Sequence, residues 1–247
     1  MKADPFVQLR LLELQVLDSA LDRLAHKRRT LPEIAEMERL DGLVDALRDG
    51  IVRAETEVGD LARDTARFER EIEQVRARRD RDETRLSSGA ITVAKQLQDL
   101  EHEVASLVRR QSELEDGELE VMEKAETAQA ELDELTGQRS AHVEARAAAE
   151  RARDAAFAEI DAEIERTVAE RAEVAGSLPE DLLALYERIR AAEGGVGAGE
   201  ISRGRCGGCR LDLMNNEKSA ARAAAPDEVL RHEDCGRIMV RTAESGL

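Results

Sequence analysis

Aromatic side chains are almost absent from this chain. Its 247 residues include no Trp, one Tyr and three Phe, and aromatics make up 2% of the composition. A large globular core depends on bulky side chains for much of its buried area. The scarcity of aromatic residues therefore excludes an ordinary compact core for a chain of this length. Charged residues instead supply 37% of the chain. This balance is typical of long helices that pack along narrow apolar seams.

Long apolar runs are absent as well. No stretch approaches the ~18 apolar residues needed to span a bilayer, and the first residues lack the apolar segment of a secretory leader. We therefore expect a cytoplasmic protein with no membrane contact. Only three cysteines occur, Cys206, Cys209 and Cys235. In a reducing compartment they are more often metal ligands or redox groups than structural disulfides.

Basic residues are outnumbered by acidic ones, 37 to 54, which gives a formal net charge of −17. This charge argues against attraction of the whole molecule to a polyanion. Residues 197–247 are neutral, with eight Lys or Arg and eight Asp or Glu. Within them Arg203, Arg205 and Arg210 form a cluster that can touch phosphate. No aromatic residue lies in this segment, so it lacks stacking platforms for single-stranded nucleic acid.

A second basic run lies in the first half of the chain. Arg76, Arg78, Arg79 and Arg81 alternate there with acidic residues of the same segment. Interleaved charges are typical of a solvated helix face, and this is the interpretation we adopt. A dedicated binding patch is the alternative.

A period of 3.5 residues dominates two long stretches. Apolar residues alternate at spacings of three and four over residues 40–86, and residues 97–135 repeat the pattern. A heptad repeat sustained over this length predicts coiled-coil arms. The turn residues at 87–92 mark a tip, and so short a connection favours antiparallel arms. Pro32 removes a helix hydrogen bond and predicts a kink near 30–33.

The apolar spacing changes in the last part of the second arm. From 145 to about 175 the apolar residues recur every four positions: Ala148, Ala152, Ala156, Ile160, Ile164 and Val168. A spacing of four does not keep the heptad phase. It predicts a slip of the phase and local unwinding of the supercoil.

Three regions follow from these patterns. Residues 1–175 are predicted to form a long antiparallel coiled-coil helical hairpin, and residues 176–193 a short connecting helix. The glycine-rich stretch 194–199 ends this helix. It follows no strand and precedes no Lys-Ser/Thr pair, so we interpret it as a linker rather than a phosphate-binding loop. Residues 194–247 comprise this linker and a small C-terminal module, in a mainly α fold.

The C-terminal module contains two similar pairs of metal-binding residue types. Residues 206–209 read Cys-Gly-Gly-Cys and residues 232–235 read His-Glu-Asp-Cys, with 22 residues between the pairs. Four such side chains close a tetrahedral site, which is the arrangement of structural zinc. The module has too few apolar residues to fold unaided, so we expect one zinc ion to stabilise it. The predicted ligands are Cys206, Cys209, His232 and Cys235.

Other interpretations of these residues stay open. Glu233 or Asp234 offers an oxygen ligand in place of His232. Cys206 and Cys209 are also candidates for a redox pair, although the βαβ context of thioredoxin-like motifs is missing. The other three histidines fall on predicted helices and are assigned to the helix surface or seam: His26, His102 and His142.

Several segments resemble a known bacterial family. They are residues 178–190 (LPEDLLALYERIR), the cysteine pair at 206–209, residues 235–238 (CGRI) and the predicted tip at 86–107. In them the chain resembles the C4-type zinc-ribbon family once catalogued as domain of unknown function 164. The resemblance implies a long coiled-coil hairpin with a C-terminal zinc ribbon, and regulation through contacts with transcription components or RNA. The family has Cys at the position of His232.

The leading hypothesis is a noncatalytic zinc-binding adaptor or regulatory protein. A rigid helical arm and a zinc-ribbon head would bridge partners, and we expect a protein partner. The alternative is a zinc ribbon that binds RNA or DNA through the Arg cluster at 203–210, in transcription or RNA metabolism. A zinc-dependent enzyme is the third hypothesis, but the sequence offers neither a general base nor a nucleophile constellation. We therefore expect no catalytic residue, and the seam alone leaves the oligomeric state open.

Overall fold

The computed structural model describes residues 1–246 and is helical over most of that length. Four helices come first: α1 (Pro5–Arg29), α2 (Pro32–Ser87), α3 (Ala94–Gly176) and α4 (Glu180–Ala192). A strand module follows: β1 (Ala198–Ser202), β2 (Arg205–Cys206), helix α5 (Asn215–Ala223), β3 (Leu230–Arg231) and β4 (Ile238–Val240). The predicted fold class is confirmed. No helix within residues 1–246 is both long enough and apolar enough to cross a membrane.

The chain forms two compact units. The distal unit comprises Ala35–Ala149, and therefore most of α2 and the first part of α3. The base unit comprises Met1–Ile34 together with the chain from Glu150 onward. It contains α1, the end of α3, α4 and the strand module.

The distal unit is a two-helix coiled coil. Its buried apolar residues are Met37, Leu40, Ile51, Ala54 and Ile72 on α2, and Leu100, Leu114 and Ala128 on α3. All of them except Met37 belong to the predicted heptad pattern. The chain reverses between Ser87 and Ala94, where Gly89 adopts a left-handed φ of 68°. Only glycine takes this conformation without a steric penalty, which explains the residue at the turn.

The end of α3 corrects one prediction. Seven of its residues in the base unit are buried or half-buried at alternating spacings of four and three: Arg153, Phe157, Ile160, Ile164, Thr167, Arg171 and Val174. These are heptad spacings, but every other position is one residue out of step with the heptad of residues 97–135, which would place the exposed Glu163 and Glu170 in the seam. The phase therefore shifts as predicted, but three of the six predicted seam positions are wrong. Ala148, Ala152 and Val168 lie on the exposed face. Alanine is a good helix former on either face, so its spacing does not report which side of a helix is buried.

One of the core clusters of the base unit joins the helices to the strand module. Leu11 and Leu14 of α1 pack there with Tyr186 of α4, and Ala198 and Ile238 come from β1 and β4. The sheet order is β2-β1-β4-β3, with β1 and β4 parallel and the two outer pairs antiparallel. The module is therefore not separated from the helices by a free linker. Ala198 and Gly199, which the sequence placed in the glycine linker, belong to β1.

The first residues of the chain also belong to this unit. The backbone N–H of Ala3 donates to the carbonyl of Asp227 at 2.7 Å, and Lys2 forms an antiparallel bridge with Glu228. These contacts lie immediately before β3. The N-terminal segment thus helps to hold the second half of the strand module.

A buried carboxylate connects three helices of the base unit. Asp18 of α1 is 1% exposed and accepts hydrogen bonds from the Tyr186 hydroxyl at 2.6 Å and from Arg171 Nε at 2.7 Å. Burial, and then the hydrogen bond to Asp18, raises the pKa of Tyr186. One turn earlier, Gln15 Oε1 accepts from the backbone N–H of Gly197 at 2.7 Å. This polar pair therefore fixes α3, α4 and the entry to β1 against α1.

Asp18→Ala should lower the free energy of unfolding of the base unit by about 3 kcal/mol, because the Arg171 guanidinium and the Tyr186 hydroxyl would lose their buried partner. Asp22→Ala is the matched control. Asp22 pairs with Arg190 but its side chain is 53% exposed, so its loss should cost less than about 1 kcal/mol. Tyrosine fluorescence in urea measures both, since Tyr186 is the only Tyr and Trp is absent. Equal effects of the two variants would contradict this role for Asp18.

Candidate metal centre

Two turns of the same kind hold the four predicted ligands. Cys206 ends β2, and its carbonyl accepts from the N–H of Arg210 at 2.7 Å. His232 follows β3, and its carbonyl accepts from the N–H of Gly236 at 2.8 Å. In both turns the residue four positions after the first ligand is left-handed, with φ of 68° at Arg210 and 67° at Gly236. The sequence repeat is therefore a structural repeat.

These turns bring the four side chains into one cluster. The ligand atoms of Cys206, Cys209, His232 and Cys235 all lie within 4.8 Å of one another. His232 Nδ1 is 3.3 Å from Cys209 Sγ and 3.2 Å from Cys235 Sγ. Cys206 and His232 are buried, and the other two cysteines are half-buried. Three thiols and an imidazole in this arrangement can hold a metal ion.

Neighbouring side chains fix the cluster from outside. Gly208 lies against Arg237, and a Cβ added to it would be 2.5 Å from Arg237 Cδ. The Arg237 guanidinium in turn donates to the carbonyls of Val196 at 3.0 Å and Glu193 at 2.6 Å, at the end of α4. The first cysteine turn is thereby fastened to the helical part of the base unit.

Glu217 is a buried carboxylate behind the histidine. It lies in the first turn of α5 and is 6% exposed. Its two oxygens accept from the backbone N–H groups of Met214 at 2.9 Å and Glu233 at 3.0 Å. Its Oε2 lies 3.8 Å from His232 Nε2, a nitrogen that has no hydrogen-bond partner among residues 1–246. The imidazole therefore faces the thiols with Nδ1 and the carboxylate with Nε2.

The alternative oxygen ligands lie outside the cluster. Asp234 Oδ2 is 3.9 Å from His232 Nε2, the ring nitrogen that does not face the thiols. Glu233 contributes its backbone N–H to Glu217. The four atoms that converge are thus three sulfurs and one imidazole nitrogen.

The thiols have different acidities before any metal binds. Burial raises the pKa of Cys206 to about 11. Burial also acts to raise the pKa of Cys235, but hydrogen bonds from the Arg237 backbone and from His232 outweigh it and lower that pKa to about 7. A metal ion binds thiolates and releases their protons, so metal occupancy removes this difference. Glu217 also has a lowered pKa, since the N–H groups of Glu233 and Met214 outweigh its burial.

The three arginines that were predicted to contact phosphate lie together beside the first cysteine turn. Arg203, Arg205 and Arg210 line a surface groove of about 680 Å³ beside Cys206 and Glu244. Arg205 pairs with Asp212 at 2.8 Å, and both side chains are exposed. Arg203 is left-handed, with φ of 49°. The groove is mixed in charge, since Glu244 shares it with the three guanidinium groups.

Sequence reasoning missed α5 and both supporting residues, Glu217 and Arg237. A signal for α5 was present, because residues 215–223 read NNEKSAARA, which is rich in helix-forming residues after a polar start. Nothing in the sequence placed Glu217 behind His232, 15 positions away. That contact depends on the packing of α5 against the second turn.

The family model of the CT398-like coiled coil hairpin domain matches residues 14–194, so the chain belongs to this family. The protein Rv2229c of Mycobacterium tuberculosis is 42% identical over 241 residues, which are 98% of each chain. ML1638 of Mycobacterium leprae is 34% identical over 224 residues, 91% of this chain and 96% of that protein.

Solved structures share the fold. A protein of Mycobacterium smegmatis superimposes with a TM-score of 0.84 at 35% identity, over 98% of this chain and 100% of that one. CT398 of Chlamydia trachomatis superimposes with a TM-score of 0.64 at 19% identity, over 96% and 98% of the two chains. At that identity the likeness to CT398 is one of fold.

Gly236→Ala should destabilise the second turn by roughly 1 kcal/mol, because alanine is strained at a left-handed φ. Arg210→Gly is the matched substitution at the equivalent place in the first turn and should cost nothing, since it relieves the strain of a non-glycine residue there. Hydrogen exchange of the amides in residues 230–240 and 200–211 measures the stability of each turn. Lower protection in the Arg210→Gly protein would show that the two turns are not equivalent.

Proposed function

We propose that Cys206, Cys209, His232 and Cys235 bind one structural zinc ion in a zinc-ribbon head. The observation that supports this proposal is the convergence of their four ligand atoms within 4.8 Å. Zinc bonds of ~2.3 Å to sulfur and ~2.0 Å to nitrogen place these atoms about 3.5 Å apart in a tetrahedron. The two nitrogen to sulfur distances, 3.3 and 3.2 Å, need only a small expansion to accept the ion. Soft thiolates with one imidazole are a donor set that zinc prefers.

Glu217 lies behind His232 and would hold its ring in place at this zinc site. Metal-bound histidines usually present their other ring nitrogen to a carboxylate or carbonyl, which fixes the ring and makes the ligand more basic. The 3.8 Å between His232 Nε2 and Glu217 Oε2 fits this role after a slight closure. With three thiolates, the zinc centre has a charge of about −1. Zinc supplies stability to the module when bound, because a closed set of four ligands leaves no place for substrate or water.

The purified protein should contain one zinc per chain, and its cobalt form should show tetrahedral bands that small anions do not change. His232→Ala should lower the affinity for zinc by roughly 100-fold or more, because it opens one coordination position. His142→Ala is the matched control, since His142 lies on α3 in the distal unit and should leave metal binding unchanged. A chain without stoichiometric metal, or cobalt bands that azide shifts in the unaltered protein, would contradict a closed zinc site.

We further propose that the protein is a noncatalytic cytoplasmic adaptor, in which the hairpin and the zinc-ribbon head engage partners. The division into a coiled-coil unit and a base unit with a metal centre supports this role. The head is joined to the helices through Arg237 and the shared core, so a partner at the head would be held rigidly by the base unit. A protein partner suits a head without aromatic stacking platforms.

Nucleic-acid binding is the second candidate function. It is supported by the groove at Arg203, Arg205 and Arg210, where three guanidinium groups can contact phosphates. Glu244 in the same groove and the pairing of Arg205 with Asp212 reduce the positive field. A protein partner is therefore favoured over RNA or DNA at this surface.

Affinity purification from the native host should recover partner proteins with the unaltered chain. Partners that are lost with the Cys206→Ser, Cys209→Ser variant bind the zinc-ribbon head or the helices that share its core, since zinc removal should destabilise the strand module first. A variant without residues 87–92 tests the tip in the same way. Recovery of nucleic acid instead of protein, with affinity for RNA or DNA in low-salt titrations that Arg203→Glu removes, would overturn the protein-binding role in favour of the second candidate.

A further inference from the structure

A concave groove runs between α2 and α3 in the distal unit, close to the turn that joins them. Its volume is about 750 Å³. Leu114 is buried at its base, and Val75 and Leu107 are half-buried beside it. Arg78 and Arg81 of α2 and Arg110 of α3 line the groove with their charged groups. An apolar floor is thus flanked by guanidinium groups from both helices.

The sequence alone did not reveal this combination. It indicated a solvated face for the basic run on α2, because acidic residues alternate with the arginines along that helix. The structure adds Arg110 from the opposite helix and the apolar floor. It also places Arg81 in the groove without a hydrogen-bond or ion-pair partner among residues 1–246.

The other arginines of the groove are weakly engaged. Arg110 is 3.6 Å from Glu71 and 3.7 Å from Glu113, and its side chain is 54% exposed. Arg78 pairs with Glu103 on the surface. Exposed ion pairs of this kind exchange readily for pairs with another molecule, because each contributes little to stability.

A second groove in the same unit provides a contrast. It has a volume of about 400 Å³ and is lined by Glu57, Glu120, Glu123, Glu131 and Lys124. The two grooves therefore differ in the charge of their lining. Residues 71–114, which include the whole lining of the groove near the turn, have eight Lys or Arg and nine Asp or Glu, whereas the rest of the chain has 29 against 45. The lining itself has three Arg and one Glu.

We propose that the groove near the turn binds an acidic amphipathic helix of a partner protein. The apolar side of such a helix would cover the half-buried Val75 and Leu107, and its flanking carboxylates would pair with Arg81 and Arg110. This is the helix-in-groove mode of recognition, with charge complementarity selecting the partner. The inference rests on the proposed protein-binding role, and it names the surface on the arm and the chemistry of one partner.

Nucleic acid fits this groove less well. A phosphate backbone has no apolar face to cover Val75 and Leu107, and Glu71 in the wall would repel it. A continuation of the groove toward the turn adds Arg85 but also Asp82 and Glu103. The carboxylates between the arginines repel a polymer that is negative along its whole length. A helix can avoid them, because its acidic side chains are spaced along one side and can align with the arginines alone.

The test uses full-length zinc-loaded protein and fluorescent 16-residue helical peptides. In one set, Leu recurs at i, i+3, i+4 and i+7 and the flanking positions are Glu; in the other set the flanking positions are Lys. We expect the Glu set to bind, with affinity that falls as salt rises, and the Lys set to bind at least about tenfold more weakly. Fluorescence anisotropy measures both, and a single-stranded RNA 16-mer is included as a third probe.

Charge reversal at two groove positions locates the binding. Arg81→Glu with Arg110→Glu should weaken binding of the Glu peptides by at least about tenfold, because like charges would then face each other. Arg48→Glu with Arg63→Glu is the matched control, since it makes the same charge change on exposed α2 positions outside the groove. Circular dichroism confirms that both proteins keep their helices.

The Cys206→Ser, Cys209→Ser variant separates this inference from the proposed function. It should bind the Glu peptides as the unaltered protein does, because the groove lies in the distal unit. Absence of peptide binding, equal loss in the two charge-reversal variants, or tighter binding of the RNA would each overturn the groove as a site for an acidic helix. Protein partners that bind only through the zinc-ribbon head would leave the adaptor role intact in those cases.

Discussion

The buried carboxylate of Asp18 is the interaction on which the base unit depends. A charge that is 1% exposed is stable only with full compensation, and Asp18 obtains it from Arg171 of α3 and Tyr186 of α4. The partners come from three helices, so their relative positions are fixed together. Gln15 extends the arrangement to the loop before β1. The strand module is consequently placed by the helices, and Arg237 joins the cysteine turns to the same frame.

The candidate metal centre follows from this frame and from one repeated turn. A short strand, two candidate ligands and a left-handed residue occur twice, and the fold brings the ligand atoms of the two copies within 4.8 Å of one another. The histidine makes the second copy different from the first. Its ring has two nitrogens, so its far side needs a partner of its own, and Glu217 lies there. A cysteine at this position would need no such carboxylate, because a thiolate has no second donor atom to orient.

Much of the fold and the four candidate ligands could be predicted from local sequence. Leu40, Ile51 and Ile72 are buried because a 3.5-residue period leaves one face of a helix apolar, and that period is visible without coordinates. The predicted seam was wrong where residue type did not distinguish the two faces of a helix. In the last part of α3, Ala148 and Ala152 suggested a seam, but Phe157 and Arg171 occupy it. Arg171 can bury its aliphatic stem while its guanidinium pairs with Asp18. The heptad therefore includes a charged residue, and a pattern of apolar residues alone does not show it.

Local sequence was enough to predict the long helices, the chain reversal near Gly89 and the four residues that converge at the candidate metal centre. Helix periodicity, turn residues and the spacing within each pair are all visible over a few neighbouring residues. Tertiary structure decided which distant groups meet. It set Glu217 behind His232, joined the glycine-rich segment to a sheet instead of a free linker, and placed Arg110 opposite Arg81 across an apolar floor. These contacts depend on the packing of separate elements, and packing involves residues too far apart in the chain for a local pattern to relate them.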